Sequence, residues 1–239
     1  RLDFNLPPEK LAAYQREHSR EMVAQLKDLG VNFLMIHCYK GAGLRTEVYG
    51  MEDARRLAAL AHKAGMRVGT YIGGTMLYER LFLEEPRAPQ WQAFNADGSP
   101  IFYSDSQRFR YAAVRNHPGF IEYLQVPTRY AVETVRSDLI HFDNFYTMFP
   151  LDAGYTGHIQ QLFREYLEKK YDPEKRKIRL GFADVSHIRP PRVADRPMEP
   201  VTDPLVQEWI EFRVEVLTGF IRELSEYIRS LNPETVVEF

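Results

Sequence analysis

The sequence predicts an α/β protein built on parallel strands. Three observations carry this. Helical patterns end on glycines and run at once into short apolar segments; those segments are rich in strand formers; and polar side chains gather just past each of them. Repeated βα units of this kind fit either a closed (β/α)8-type barrel or an open doubly wound sheet.

The elements follow in order. Residues 8–29 place Leu11, Tyr14, Met22, Leu26 and Leu29 at near-helical spacing, and Gly30 follows as a C-cap. The run VNFLMIHCY (31–39) is continuous and apolar, as expected of a strand buried on both faces. A second helical pattern at 52–64 closes on Gly65, and MRVGTYIGG (66–74) supplies the second strand. The stretch 75–109 is loop-rich, with Pro86, Pro89 and an Asp97-Gly98 turn. YAAVRN (111–116) reads as the third strand, and His117-Pro118-Gly119 opens a helix to about Arg136. LIHFDNF (139–145) is then strand four. An amphipathic helix at about 157–171 follows, carried by Ile159, Leu162, Phe163, Tyr166 and Leu167. A proline-rich connection leads to a long helix over about 204–230, which Asn232-Pro233 ends, and TVVEF (235–239) is strand five.

Composition narrows the function classes. With 44% hydrophobic and 27% charged residues, the chain is of ordinary globular make-up, and no run approaches the ~20 apolar residues of a membrane span. A net charge of −2 gives no electrostatic footprint for nucleic acid. The basic groups Lys169-Lys170 and Lys175-Arg176-Lys177 are interrupted by acids and read as a solvated helix end. A single cysteine, Cys38, excludes an intrachain disulfide and a cysteine-based zinc site. The chain opens on Arg1 and stops within the apolar VVEF, so 1–239 reads as one partial domain that continues past Phe239, with its compartment left open.

In either parallel architecture function gathers at the carboxyl ends of the strands. Strand one offers His37, Tyr39 and Lys40; strand two, Tyr71 and Thr75; strand three, Arg115, Asn116 and His117; strand four, His141, Asp143 and Asn144, with Tyr146 next; strand five, Glu238. Each has a plain structural alternative. His37 and His141 would serve as core histidines bonded to carbonyls, Lys40 as a solvated loop residue, and Arg115 as an ion-pair partner of Asp143. Asp143 stands apart. A carboxylate buried without partners is costly, whereas one at a strand tip among polar neighbours stays ionised and faces a cleft. A metal set of His37, His141 and Asp143 has no supporting HxH or HxxxH spacing. Gly41-Ala42-Gly43 lacks the third glycine of a dinucleotide fingerprint and reads as a flexible βα loop, and no GxSxG nucleophile elbow occurs.

Several segments, taken in order, resemble the barrels of glycoside hydrolases. LGVNFLMIH through HKAGMRVGTYIG is similar to their opening βαβ unit, and PQWQAFNADGSPI to a "PEW…DADG.P" loop. VRNHPGFIEYLQ, LIHFDNF and the segment from DPLVQEWIEF to TVVE resemble the third-strand turn, the fourth strand, and the long helix with strand five. The nearest resemblance is to the hypothetical glycosyl hydrolase 6 family, with α-L-fucosidases, α-galactosidases and β-galactosidase-like barrels further off. It covers roughly residues 25–239. The implied fold is a TIM (β/α)8-type barrel, here with about five of its eight strands. The aspartate closing strand four is the nucleophile in the fucosidases and α-galactosidases, and that role carries over to Asp143 alone. The Asn-Glu pair of the β-galactosidase type is absent, since Asp143-Asn144 stands there.

The resulting expectation is a retaining glycoside hydrolase acting on an oligo- or polysaccharide, with Asp143 as nucleophile and no cofactor or bound metal. Glu238 is a weak candidate for the second carboxyl group, the alternative being a group beyond Phe239. His37, Tyr39, Lys40, Arg115, Asn116, His141 and Asn144 would hold sugar hydroxyls, while Tyr71 or Tyr146 would stack on a ring. A non-catalytic carbohydrate-binding barrel and, behind it, a metal-dependent hydrolase are the competing expectations. No nucleic-acid or membrane partner is expected.

Overall fold

The computed structural model describes residues 7–143, 154–191 and 200–239. Within them, the chain folds as α1 (Pro8–Glu17), α2 (Arg20–Asp28), β1 (Phe33–Tyr39), α3 (Val48–Lys63), β2 (Arg67–Gly73), β3 (Met76–Tyr78), α4 (Leu81–Glu84), β4 (Arg110–Ala112), α5 (Pro118–Arg129), β5 (Leu139–Asp143), α6 (Gly157–Lys170), α7 (Pro173–Leu180), α8 (Pro204–Leu231) and β6 (Val236–Glu238). The main sheet is parallel, in the order β1-β2-β5-β6.

The expected third strand is not in that sheet. β2 pairs directly with β5, from Gly69 opposite Leu139 to Gly73 opposite Asp143. Residues 110–112 instead pair antiparallel with β3, and the Ala113 amide donates to the Thr75 carbonyl at 3.1 Å. The two-stranded β3–β4 sheet satisfies this backbone beyond the end of β2. LIHFD is therefore the third parallel strand and residues 236–238 the fourth. Four parallel strands are present among the described residues, not five, and they form an open sheet.

The expectation that VNFLMIHCY is buried on both faces also fails. Side chains alternate along a strand. One set (Ile36, Cys38, Val68, Ile72, Ile140 and Phe142) packs under α3, α5 and α8 in the main core. The other set is open: Phe33, Met35 and Val236 are 37%, 46% and 54% exposed. Helices cover one face of the sheet, and the opposite face carries the strand residues of interest.

Local sequence explains the element ends. The predicted helix over 8–29 is two helices, because the Ser19 hydroxyl accepts the Met22 amide at 3.1 Å and starts a new one. Gly65 at φ +79° closes α3, with the Met66 amide on the Ala61 carbonyl. The helix expected to reach Arg136 loosens into a π-turn over Tyr130–Thr134, just after Pro127. The Asp172 carboxylate caps α7, so the basic residues 175–177 lie on a separate helix and not at the end of α6. α8 spans 28 residues, about 42 Å. Its second half (Phe220, Leu224, Ile228) joins the main core, and its first half (Trp209, Phe212) packs with Ile159, Phe163 and Val114 in a second core.

Candidate functional site

Strand register brings four of the predicted residues into one row. His37 stands opposite Tyr71, Tyr71 opposite His141, and His141 opposite Glu238. All four belong to the open face. Two residues further along, Gly73 stands opposite Asp143, so Asp143 forms the next row on that face at the carboxyl end. The alternation of half-buried His141 and Asp143 with buried Phe142 is the LIHFD pattern expressed in three dimensions.

Contacts link the row. The Tyr71 hydroxyl donates to Asp143 Oδ2 at 2.7 Å. Burial raises the Tyr71 phenol well above its usual range, and the hydrogen bond to Asp143 and that carboxylate's charge raise it further, so Tyr71 stays a donor at neutral pH. The His37 ring stacks on Tyr71 at 4.6 Å between centroids and 20° between planes. The His141 ring is tilted against it at 5.8 Å. The Lys40 ammonium lies over the Tyr71 ring, 4.6 Å from its centroid, within cation–π range. On the far strand, Glu238 Oε2 is 2.9 Å from His141 Nδ1.

The loop after β1 sets Lys40 in place. Gly41 and Gly43 take φ of +102° and +120°, which only glycine adopts readily. The turn lets the amides of Lys40 and Ala42 donate to the carboxylate of buried Glu47, at 2.8 and 2.6 Å. These amides bind the protein's own carboxylate, which accounts for the GAG sequence as a structural loop. Glu84 holds the next stretch by accepting from the amides of Arg45 and Thr46 at 2.8 and 2.7 Å. Sequence reading missed both glutamates. Glu47 had a faint signal, a carboxylate four residues past a Gly-x-Gly turn, whereas nothing local marks Glu84.

Other predicted residues lie elsewhere. Tyr39 does not join the row: the register shifts between His37 and Tyr39 and turns Tyr39 into the core. There its hydroxyl pairs with that of Tyr123 at 3.0 Å. Arg115 and Asn116 follow β4, beyond the two-stranded β3–β4 sheet. They line a cleft with Trp209, Phe212 and Ile159, and Arg115 is 8% exposed. His117 caps α5, its Nδ1 accepting from the Gly119 amide at 3.2 Å. Thr75 is buried. Asn144 and Tyr146 lie outside the described residues. Among the described residues, no group of three or more His, Cys, Asp or Glu side chains is placed to hold a metal ion. No helix among them is long and apolar enough to cross a membrane.

No family model matches the chain, and no curated protein matches it. Solved structures do. The chain is similar to α-L-fucosidase isoenzyme 2 from Paenibacillus thiaminolyticus at 14% identity and a TM-score of 0.54, over 93% of this chain and 29% of that one. It is also similar to the α-galactosidase from Lactobacillus brevis at 13% identity and a TM-score of 0.50, over 92% of this chain and 24% of that one. The chain thus spans under a third of the length of each. At these identities the likeness shows a fold shared with that fucosidase and that galactosidase. It does not reach the hypothetical glycosyl hydrolase 6 family in particular.

Proposed function

We propose that Asp143 is the nucleophile of a retaining glycosidase site on a barrel of the (β/α)8 type. The observation that carries this reading is Asp143 itself. It stands half-exposed at the carboxyl tip of a central parallel strand, on the open face, with Tyr71 holding one of its oxygens. Asp143 attacks the anomeric carbon as the bond to the leaving oxygen breaks, and a general acid protonates that oxygen. Water then cleaves the glycosyl ester and returns the carboxylate. Tyr71 steadies Asp143 throughout, while His37 and His141 face the sugar. The fold shared with a fucosidase and a galactosidase supports the class of reaction, and the family resemblance supports the choice of aspartate.

The register bears on the second carboxyl group. Glu238 is one strand over from Asp143 and two residues back, which puts their Cα atoms about 8 Å apart at ordinary strand spacing and rise. Glu238 Oε2 is already engaged by His141 Nδ1 at 2.9 Å. In the retaining reading Glu238 orients His141, and the acid comes from another group. Calorimetry with an oligosaccharide panel, paired with product analysis, tests the proposal. Hydrolysis with the anomeric configuration kept, followed by NMR of the first-formed product, agrees with it. Inversion would make Asp143 a base acting on water rather than the attacking group. Binding with no product would leave a carbohydrate-binding barrel.

A further inference from the structure

We infer that Glu47 is a positioning residue of this site, acting through the backbone of loop 40–43 to hold the Lys40 ammonium over the ring of Tyr71. The inference rests on the reading of Tyr71 and Asp143 as the reactive couple. Its observations are independent of that reading.

Glu47 has no exposure to solvent. A carboxylate in such a place is tolerated only with strong donors, and it takes the amides of Lys40 and Ala42. Those two bonds fix the turn immediately beyond β1. The turn is wedged as well as tied. A Cβ on Gly73, at the end of β2, would lie 2.5 Å from the Lys40 carbonyl oxygen, and one on Gly41 would lie 2.5 Å from the Met76 carbonyl oxygen. The Tyr78 amide also donates to the Gly41 carbonyl at 3.1 Å. The Lys40 backbone is thereby pressed against the tips of β2 and β3, from where its side chain reaches the Tyr71 ring.

Lys40 and His37 both approach that ring from the β1 side, and His141 flanks it from β5. The ring is thus bracketed, and its hydroxyl is directed at Asp143. If the loop relaxes, the cation leaves the ring and the phenol gains freedom to rock. A reacting carboxylate held by a rocking donor loses alignment, and misplacement on the ångström scale costs up to ~100-fold in rate.

The experiment compares the full chain with E47Q, K40M, the E47Q/K40M pair and K40R. Reductive methylation with 13C-formaldehyde gives each lysine a dimethyl NMR probe, and the K40R spectrum assigns that of Lys40. Over an aromatic ring the Lys40 methyls resonate upfield of the other lysines, and the Y71L variant should abolish that shift. The inference predicts that E47Q also abolishes it while the remaining lysine signals stay put. An upfield Lys40 signal that persists in folded E47Q overturns it. Should E47Q fail to fold, a Lys40 signal with no ring shift in the native chain overturns it equally.

Kinetics on a panel of 4-nitrophenyl glycosides gives the second readout. Wherever the native chain turns over a substrate, E47Q and K40M each lower kcat about tenfold with KM little changed, and the double variant is no slower than either. Additive losses would contradict a shared route through Lys40. If the native chain cleaves none of the glycosides, the catalytic reading falls, while the NMR result still decides the role of Glu47.

Discussion

At the scale of single residues, the Tyr71 hydroxyl fixes what Asp143 can do. It is a donor kept protonated by burial and by the carboxylate it serves. Tyr71→Phe keeps the ring that His37 and Lys40 contact and removes only the hydroxyl. Turnover of a cleaved aryl glycoside should then fall about 10- to 100-fold without vanishing, since one charge-assisted hydrogen bond is lost. Complete loss would mark Tyr71 as the attacking group, the arrangement of sialidases. Gly73 makes a separate prediction. A methyl there would meet the Lys40 carbonyl oxygen at 2.5 Å and its carbon at 2.9 Å, backbone atoms with little freedom to yield. Gly73→Ala should cost about 1–3 kcal/mol in urea denaturation, in line with overpacking elsewhere. An unchanged midpoint would show that the loop is looser than its hydrogen bonds imply.

Between elements, Asp53 is the main polar tie of the N-terminal helices. It is buried on α3 and accepts from Tyr14 of α1 at 2.8 Å, from His18 between α1 and α2, and from Arg56 at 2.6 Å. Burial alone would raise its pKa. The hydrogen bonds from His18, Arg56 and Tyr14 outweigh it and bring the value down to about 2. The folded value thus lies below the ordinary 3.8. The stabilisation is complete above about pH 4 and disappears as pH falls toward 2. At neutral pH it amounts to about 2 kcal/mol at most. Asp53→Asn should lower stability by that order at pH 7, with the gap to the native chain narrowing by pH 3. A gap that stays constant with pH would refute the ionic account. The same region shows what sequence periodicity misses. The apolar spacing over 8–29 continues through Ser19, so the break between helices is invisible to periodicity and visible only in the serine's capping chemistry. Tyr39 escapes simple alternation for a related reason: alternation puts it beside His37, and the irregularity that redirects it depends on the pairing with β2.

For the molecule as a whole, α8 joins the two cores. Trp209 is buried in one, and Phe220 and Ile228 in the other. Trp209→Ala should cost about 3–5 kcal/mol and lower a single unfolding transition followed by far-UV circular dichroism, because one helix supports both cores. Two separated transitions would show that the cores melt independently. The α/β class, the parallel pairing and the strand-tip position of Asp143 were legible in the sequence because each is written in local pattern: glycine-closed helices, apolar runs and a polar group after the run. The sheet order was not. YAAVRN has strand composition wherever it pairs, and only long-range contact decides between the parallel sheet and the antiparallel pairing with β3. The exposed face was hidden as well, since VNFLMIHCY is apolar on both of its sides. The row His37, Tyr71, His141 and Glu238 depends on register across four strands, which no single segment encodes.

The central claim is that Asp143 forms the bond to the sugar. Its most direct test is the hydrolysis rate of Asp143→Asn relative to the native chain, on whichever aryl glycoside the native chain cleaves, with folding checked by circular dichroism. Removing the nucleophile should cut kcat by about 1,000-fold or more while the fold is kept. A variant that hydrolyses the same glycoside at the native rate would place the chemistry on another residue.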